Sequence, residues 1–147
     1  SQAGLGYLTD EAVGIDPATL LPRPYPKPLS IDRGSWKVLP DLRPVPDLVT
    51  GQWQVPARAI RPNAVAEPGP VRFVIEPVYD PDATTRLESV SRAAMLVRVA
   101  DSTFNFPDAP ERNLHVAARL VEQADCYRLT VSELDRAVTL VDDLCSS

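Results

Sequence analysis

Near its start the chain carries Thr9-Asp10-Glu11, the residues whose types and spacing best suit chemistry. A carboxylate at the end of a buried strand can hold Mg²⁺ or take the proton of an attacking hydroxyl beside a nucleotide phosphate. The same three residues also suit a solvated acidic turn between two strands. A second cluster, Arg23-Pro24-Tyr25-Pro26-Lys27-Pro28-Leu29-Ser30 followed by Arg33, sets cations on a proline-stiffened strand. Cations held this way lose little entropy on meeting a phosphate or carboxylate, and they equally suit an ordinary charged edge. His115, the one histidine, falls in a predicted helix with no acid or nucleophile at a useful spacing, which argues against triad-type acyl transfer. Cys126 and Cys145 have no zinc-ligand spacing and read as reduced thiols packed as small apolar groups.

The elements that would position these residues fall into three stretches of one domain spanning 1–147. Residues 1–20 hold short apolar runs, Tyr7-Leu8 and Ala12 to Ile15, around the acidic corner, which predicts two short strands with the corner between them. Residues 21–70 contain eleven of the sixteen prolines, and each proline removes an amide donor and pushes its predecessor away from helical dihedrals. Long helices are excluded there. Trp36, Leu39, Leu42, Val45, Leu48 and Trp53 give this arm apolar anchors, with short strands expected at Trp36 to Leu39 and Trp53 to Val55.

Residues 71–147 read as an α/β part. Val71 to Ile75 is rich in β-branched residues and predicts a strand that stops at Pro77. Three amphipathic helices follow, each expected to start at an oxygen-bearing side chain with Glu three residues later: Thr85 with Glu88, Asp108 with Glu111, and Thr130 with Glu133. Their apolar residues recur at helical intervals, as in Leu114, Ala117, Ala118 and Val121. Cys126 to Leu129 is a further expected strand. The predicted order is strand, helix, helix, strand, helix, an α/β layer arrangement.

Composition narrows the function classes. The 147 residues suffice for one compact domain, and a net charge of −5 with interspersed signs argues against nucleic acid and against an anionic membrane surface. No apolar run approaches a bilayer span, and Ser1 to Tyr7 lack the pattern of a secretory signal, so a cytoplasmic protein is expected.

Gly6 to Asp16 followed by Arg23 to Ser30 resembles the stretch downstream of the phosphate-binding loop in HPr kinase/phosphorylase-like proteins, a family related in fold to phosphoenolpyruvate carboxykinase. The run from Tyr79 through Arg86-Leu87-Glu88 and Ser102 to Phe106, on to Leu129-Thr130, is similar to the C-terminal part of its actinobacterial members. The resemblance implies a partial P-loop kinase-like layered fold with a Pro-rich extended arm and three C-terminal helices. It implies ATP- and Mg²⁺-dependent phosphoryl transfer to a hydroxyl such as a serine of a peptide or protein. By the same resemblance Asp10 is the candidate general base, Glu11 a Mg²⁺ contact, and Lys27 and Arg86 phosphate contacts.

One part of the family pattern is missing. A phosphate-binding loop needs GxxxxGK[ST], and none of the six glycines here is followed by Lys. Little or no kinase activity, and no bound cofactor, is therefore expected of the chain alone. The loop would come from a missing segment or a partner chain, unless nucleotide chemistry has been lost. A parallel sheet deprived of a strand would expose an apolar edge, which predicts a partner or a homo-oligomer. From a different class comes a noncatalytic module in which Trp36 and Trp53 grip a peptide or sister subunit.

Overall fold

The structure, a computed structural model, describes residues 4–42 and 49–147, with backbone alone at 49 and 50. Val45 and Leu48, two of the expected arm anchors, lie outside the described residues. The chain is mixed α/β, with three small sheets and four helices among the described residues. None of these helices is long and apolar enough to cross a membrane. The chain divides into two units, Ser1–Ile15 with Pro22–Gly69, and Asp16–Leu21 with Pro70–Ser147.

The first unit is built from short pieces because its prolines forbid longer ones. Strands β1 (Gly14–Ile15) and β2 (Pro22–Arg23) pair antiparallel. A second sheet has β5 (Gln52–Val55) between β3 (Leu29–Ile31) and β4 (Val49–Thr50), both antiparallel to it. The expected strand at Trp53 to Val55 is thus part of β5. Trp36 to Leu39 is not a strand, since Ser35–Lys37 forms a 3-10 turn started by Asp32, whose Oδ1 accepts from the Ser35 amide at 3.0 Å. That turn lays Trp36 flat on Trp53, with ring centroids 4.8 Å apart and planes 11° from parallel. The pair packs against buried Ile31, Leu42 and Val55, and the Trp36 indole N–H donates to the Ile31 carbonyl. The one described helix of the arm, α1 (Ala57–Ile60), is a single turn.

The second unit follows the order strand, strand, helix, helix, strand, helix. Its sheet has β8 (Asp125–Val131) in the centre, parallel to β6 (Phe73–Tyr79) and antiparallel to β7 (Arg86–Ser89). The expected strand at Cys126 to Leu129 lies within β8. Helices α2 (Arg92–Asp101) and α3 (Pro110–Gln123) pack on each other and, through Met95 and Val121, against Cys126. Because side chains alternate along β8, Leu129 points to the opposite face, where α4 (Leu134–Ser146) lies against β7 and β8. Glu76 of β6, whose side chain is 21% exposed, meets Arg128 of β8 at 2.9 Å and Arg98 of α2 at 3.1 Å, which ties helix to sheet.

The three helices exist, but none starts by the expected device. Arg86 to Glu88 enters β7 instead, with Thr85 just before it and half-buried Leu87 opposite Leu129 in the sheet. The first of the helices, α2, begins six residues later, where the Ser91 hydroxyl accepts from the Ala94 amide at 3.2 Å. Helix α3 starts with Pro110 at its first position, where a missing N–H costs nothing, and Asp108 closes the preceding 3-10 turn. Thr130 is buried in β8 and cannot cap α4. Strand β6 also runs through Pro77 rather than stopping there. The Asp125 amide donates to Arg72 and the Asp80 amide to Val131, so the ladder uses the even-numbered residues of β6. The Pro77 nitrogen faces away from β8, and no ladder bond is lost.

Candidate functional site

The first unit brings Asp10, Glu11 and Lys27 together. Leu8 accepts from the Tyr25 amide at 3.0 Å, and Thr9 bridges Tyr25 in parallel, so the acidic corner lies alongside the Pro-rich arm. Immediately after Thr9 the chain makes a tight turn. The Ala12 amide donates to the Asp10 carbonyl at 2.8 Å across Glu11, whose φ of 63° lies in the left-handed region. This is the strained form of the γ-turn, stiffened by the Thr9 hydroxyl, which donates to the Ala12 carbonyl at 2.8 Å. On the arm the Lys27 amide donates to the Tyr25 carbonyl at 2.7 Å across Pro26, a turn that proline's fixed φ favours.

The two turns present opposite charges to each other. Lys27 Nζ meets Glu11 Oε2 at 2.6 Å, and this bond, ahead of a smaller opposing effect of desolvation, raises the Lys27 pKa. Asp10 Oδ2 accepts from the Ser30 amide at 3.1 Å, while Oδ1 accepts no hydrogen bond among the described residues. One carboxylate oxygen is therefore fixed and the other is open. Beneath them Tyr7 is buried, and its hydroxyl donates to the Lys27 carbonyl at 2.7 Å. Burial first, then the Asp10 and Glu11 charges, push the Tyr7 pKa up.

Tyr7 and the Ser30 amide are the members of this site that reading residue types overlooks. Tyr7 sits next to the acidic corner, and a buried tyrosine needs a partner for its hydroxyl, so its proximity was the available signal. The Ser30 amide carries no signal in its side-chain type.

Arg86 is not among the residues gathered here. It belongs to the second unit, on β7, where its Nε pairs with Glu88 at 2.8 Å. His115 lies exposed on α3. In the second unit an open cleft of about 230 Å³ is lined by Ser89, Val90, Arg92, Ala124, Asp125, Cys126 and Tyr127. Cys126 is buried there against Met95 and Val121, and this burial raises its pKa.

Among the described residues no three or more His, Cys, Asp or Glu side chains gather as a metal site. Mg²⁺ beside phosphates is commonly held by one or two carboxylates, with water and phosphate oxygens completing its shell; here Asp10 keeps one oxygen unbonded among the described residues, while Glu11 is paired with Lys27. Comparison with protein-family models, curated proteins and solved structures finds no match to this chain.

Proposed function

We propose that this chain is the C-terminal portion of an HPr-kinase-like phosphotransferase that acts on a hydroxyl acceptor, a serine being one such group. The observation that carries this reading is the Asp10 carboxylate, with Oδ2 fixed by the Ser30 amide and Oδ1 open, beside a strained turn that presents Glu11 to Lys27. A general base must be oriented before it can take a proton, and a carboxylate held by one oxygen is oriented. Asp10 would take the acceptor's proton, Lys27 would leave Glu11 for a phosphate, and Glu11 would then be released toward Mg²⁺. When bound, the metal would supply charge neutralisation on the phosphates. The phosphate cradle and ATP would come with a loop from another segment or chain, since the sequence holds no GxxxxGK[ST]. Arg86 stays a phosphate contact only by resemblance.

The second reading is a noncatalytic module in which Trp36 and Trp53, stacked and half-buried against the core of the first unit, use their remaining exposed surface to grip a peptide or sister subunit. The test of the first reading is phosphoryl transfer from ATP and Mg²⁺ to serine peptides, with the chain joined to a loop-bearing part. Asp10→Asn keeps an oxygen for the Ser30 amide, so folding should survive while turnover falls about 10²- to 10⁴-fold. Unchanged turnover would remove Asp10 from the mechanism and this reading with it.

A further inference from the structure

The sheet of the second unit ends in two unlike edges. Strand β7 is short and carries Arg86 and Glu88, the charged pattern that keeps an edge from pairing. Strand β6 spans seven residues, Phe73–Tyr79, and is mostly apolar. Its even-numbered residues bond β8, so the amides and carbonyls of Phe73 and Ile75 point outward. Among the described residues no strand takes them up.

We propose that this edge pairs with the same edge of a second copy of the chain, antiparallel and across a two-fold axis, with Phe73 opposite the partner's Ile75. In this register Phe73 and Ile75 exchange both backbone bonds, and the two-fold doubles these to four. Pairing Ile75 with itself also makes four bonds, two between the Ile75 residues and one from each Phe73 amide to a Pro77 carbonyl, so backbone bonding does not select between these registers.

Charge favours the register with Phe73 opposite Ile75 and points to a second copy as the occupant. Arg72, one residue before β6, shares by alternation the register side of Glu76, although its head group turns to the Phe73 ring. Its guanidinium rests 5.0 Å from the Phe73 ring centroid, with no carboxylate partner among the described residues. With Phe73 opposite Ile75, Arg72 falls directly across from the partner's Glu76. The row across the joined sheet then reads Glu88, Arg128, Glu76 and the partner's Arg72, alternating in sign, with Arg98 of α2 also paired to Glu76. The product is a continuous six-stranded sheet with closed two-fold symmetry.

Sedimentation equilibrium of the 147-residue chain over the micromolar range tests this, and a dimer is expected. Ile75→Pro should give a monomer whose circular dichroism and β8 amide protection match the parent, because the lost N–H faces outward as the Pro77 nitrogen already does. Arg72→Glu sets like charges across the seam twice and should weaken association about tenfold, whereas Arg72→Lys should not. If Ile75→Pro fails to fold, the Arg72 pair decides. A monomeric parent overturns the proposal, as does a dimer that neither Ile75→Pro nor Arg72→Glu weakens.

Discussion

The hydroxyl oxygen of Thr85 lies 2.8 Å from the backbone nitrogen of Glu133, 48 residues further along the chain. It accepts from the Ser132 amide as well, at 2.9 Å, and shares a third bond with the Ser132 hydroxyl. Helix α4, whose N-cap residue Glu133 makes no side-chain cap of its own, is thus capped by the residue that precedes β7. Thr85→Val keeps the shape and removes the acceptor, leaving the Ser132 and Glu133 amides at the helix start without their partly buried partner. It should cost about 1–3 kcal/mol and lower hydrogen-exchange protection in the first turn of α4, whereas Thr85→Ser should keep most of both. Equal α4 protection in Thr85→Val and the parent would show that the cap carries no energy.

Gly6 holds the segment that carries the site close to its neighbour. A Cβ at this position would overlap the Ala66 Cβ, and backbone bonds from Tyr7 to Ala64 and from Ala66 to Tyr7 leave little room to retreat. Gly6→Ala should therefore destabilise the first unit by about 1–3 kcal/mol, through overpacking. Both tryptophans lie in that unit, so a urea titration followed by their fluorescence reads it directly. Adding Ala66→Gly should return part of the loss, and a double variant no better than Gly6→Ala would rule out the clash as its cause.

Alkaline pH should loosen the same unit. Tyr7 and Lys27 both have raised pKa values in the fold, so the folded state holds these protons more tightly than the unfolded chain does. Their contribution is complete below the ordinary tyrosine and lysine values, near about 10, and is lost as pH rises through the higher folded values. The tryptophan-detected urea midpoint should accordingly hold steady up to about pH 10 and fall above it. Tyr7→Phe should cost about 1 kcal/mol at neutral pH through the lost bond to Lys27 and should flatten the alkaline fall. An identical fall in Tyr7→Phe and the parent would mean that Tyr7 contributes nothing to it.

Much of the site was legible in residue types. Asp10, Glu11 and Lys27 stand out as charged groups on turn-forming and proline-stiffened chain, and they meet in space. Their pairing was not legible, because it depends on a bridge between Thr9 and Tyr25 that no local pattern encodes. Trp36 and Trp53 were readable as apolar anchors, while their stacking required the 3-10 turn at Ser35–Lys37.

Residue order alone dictates three features, all of them local. Prolines bar long helices from residues 21–70, helical periodicity makes α2, α3 and α4, and no phosphate-binding loop is spelled anywhere in the chain. Only tertiary structure decided where those helices begin and what the capping residues do. Thr85 could satisfy its own helix or another one. Pairing of Leu87 with Leu129 placed it just before β7, where its hydroxyl reaches α4. A cap is worth about 1 kcal/mol, and β7 gains both the partial burial of Leu87 and a run of backbone pairs to β8, so where the two compete the long-range contacts win.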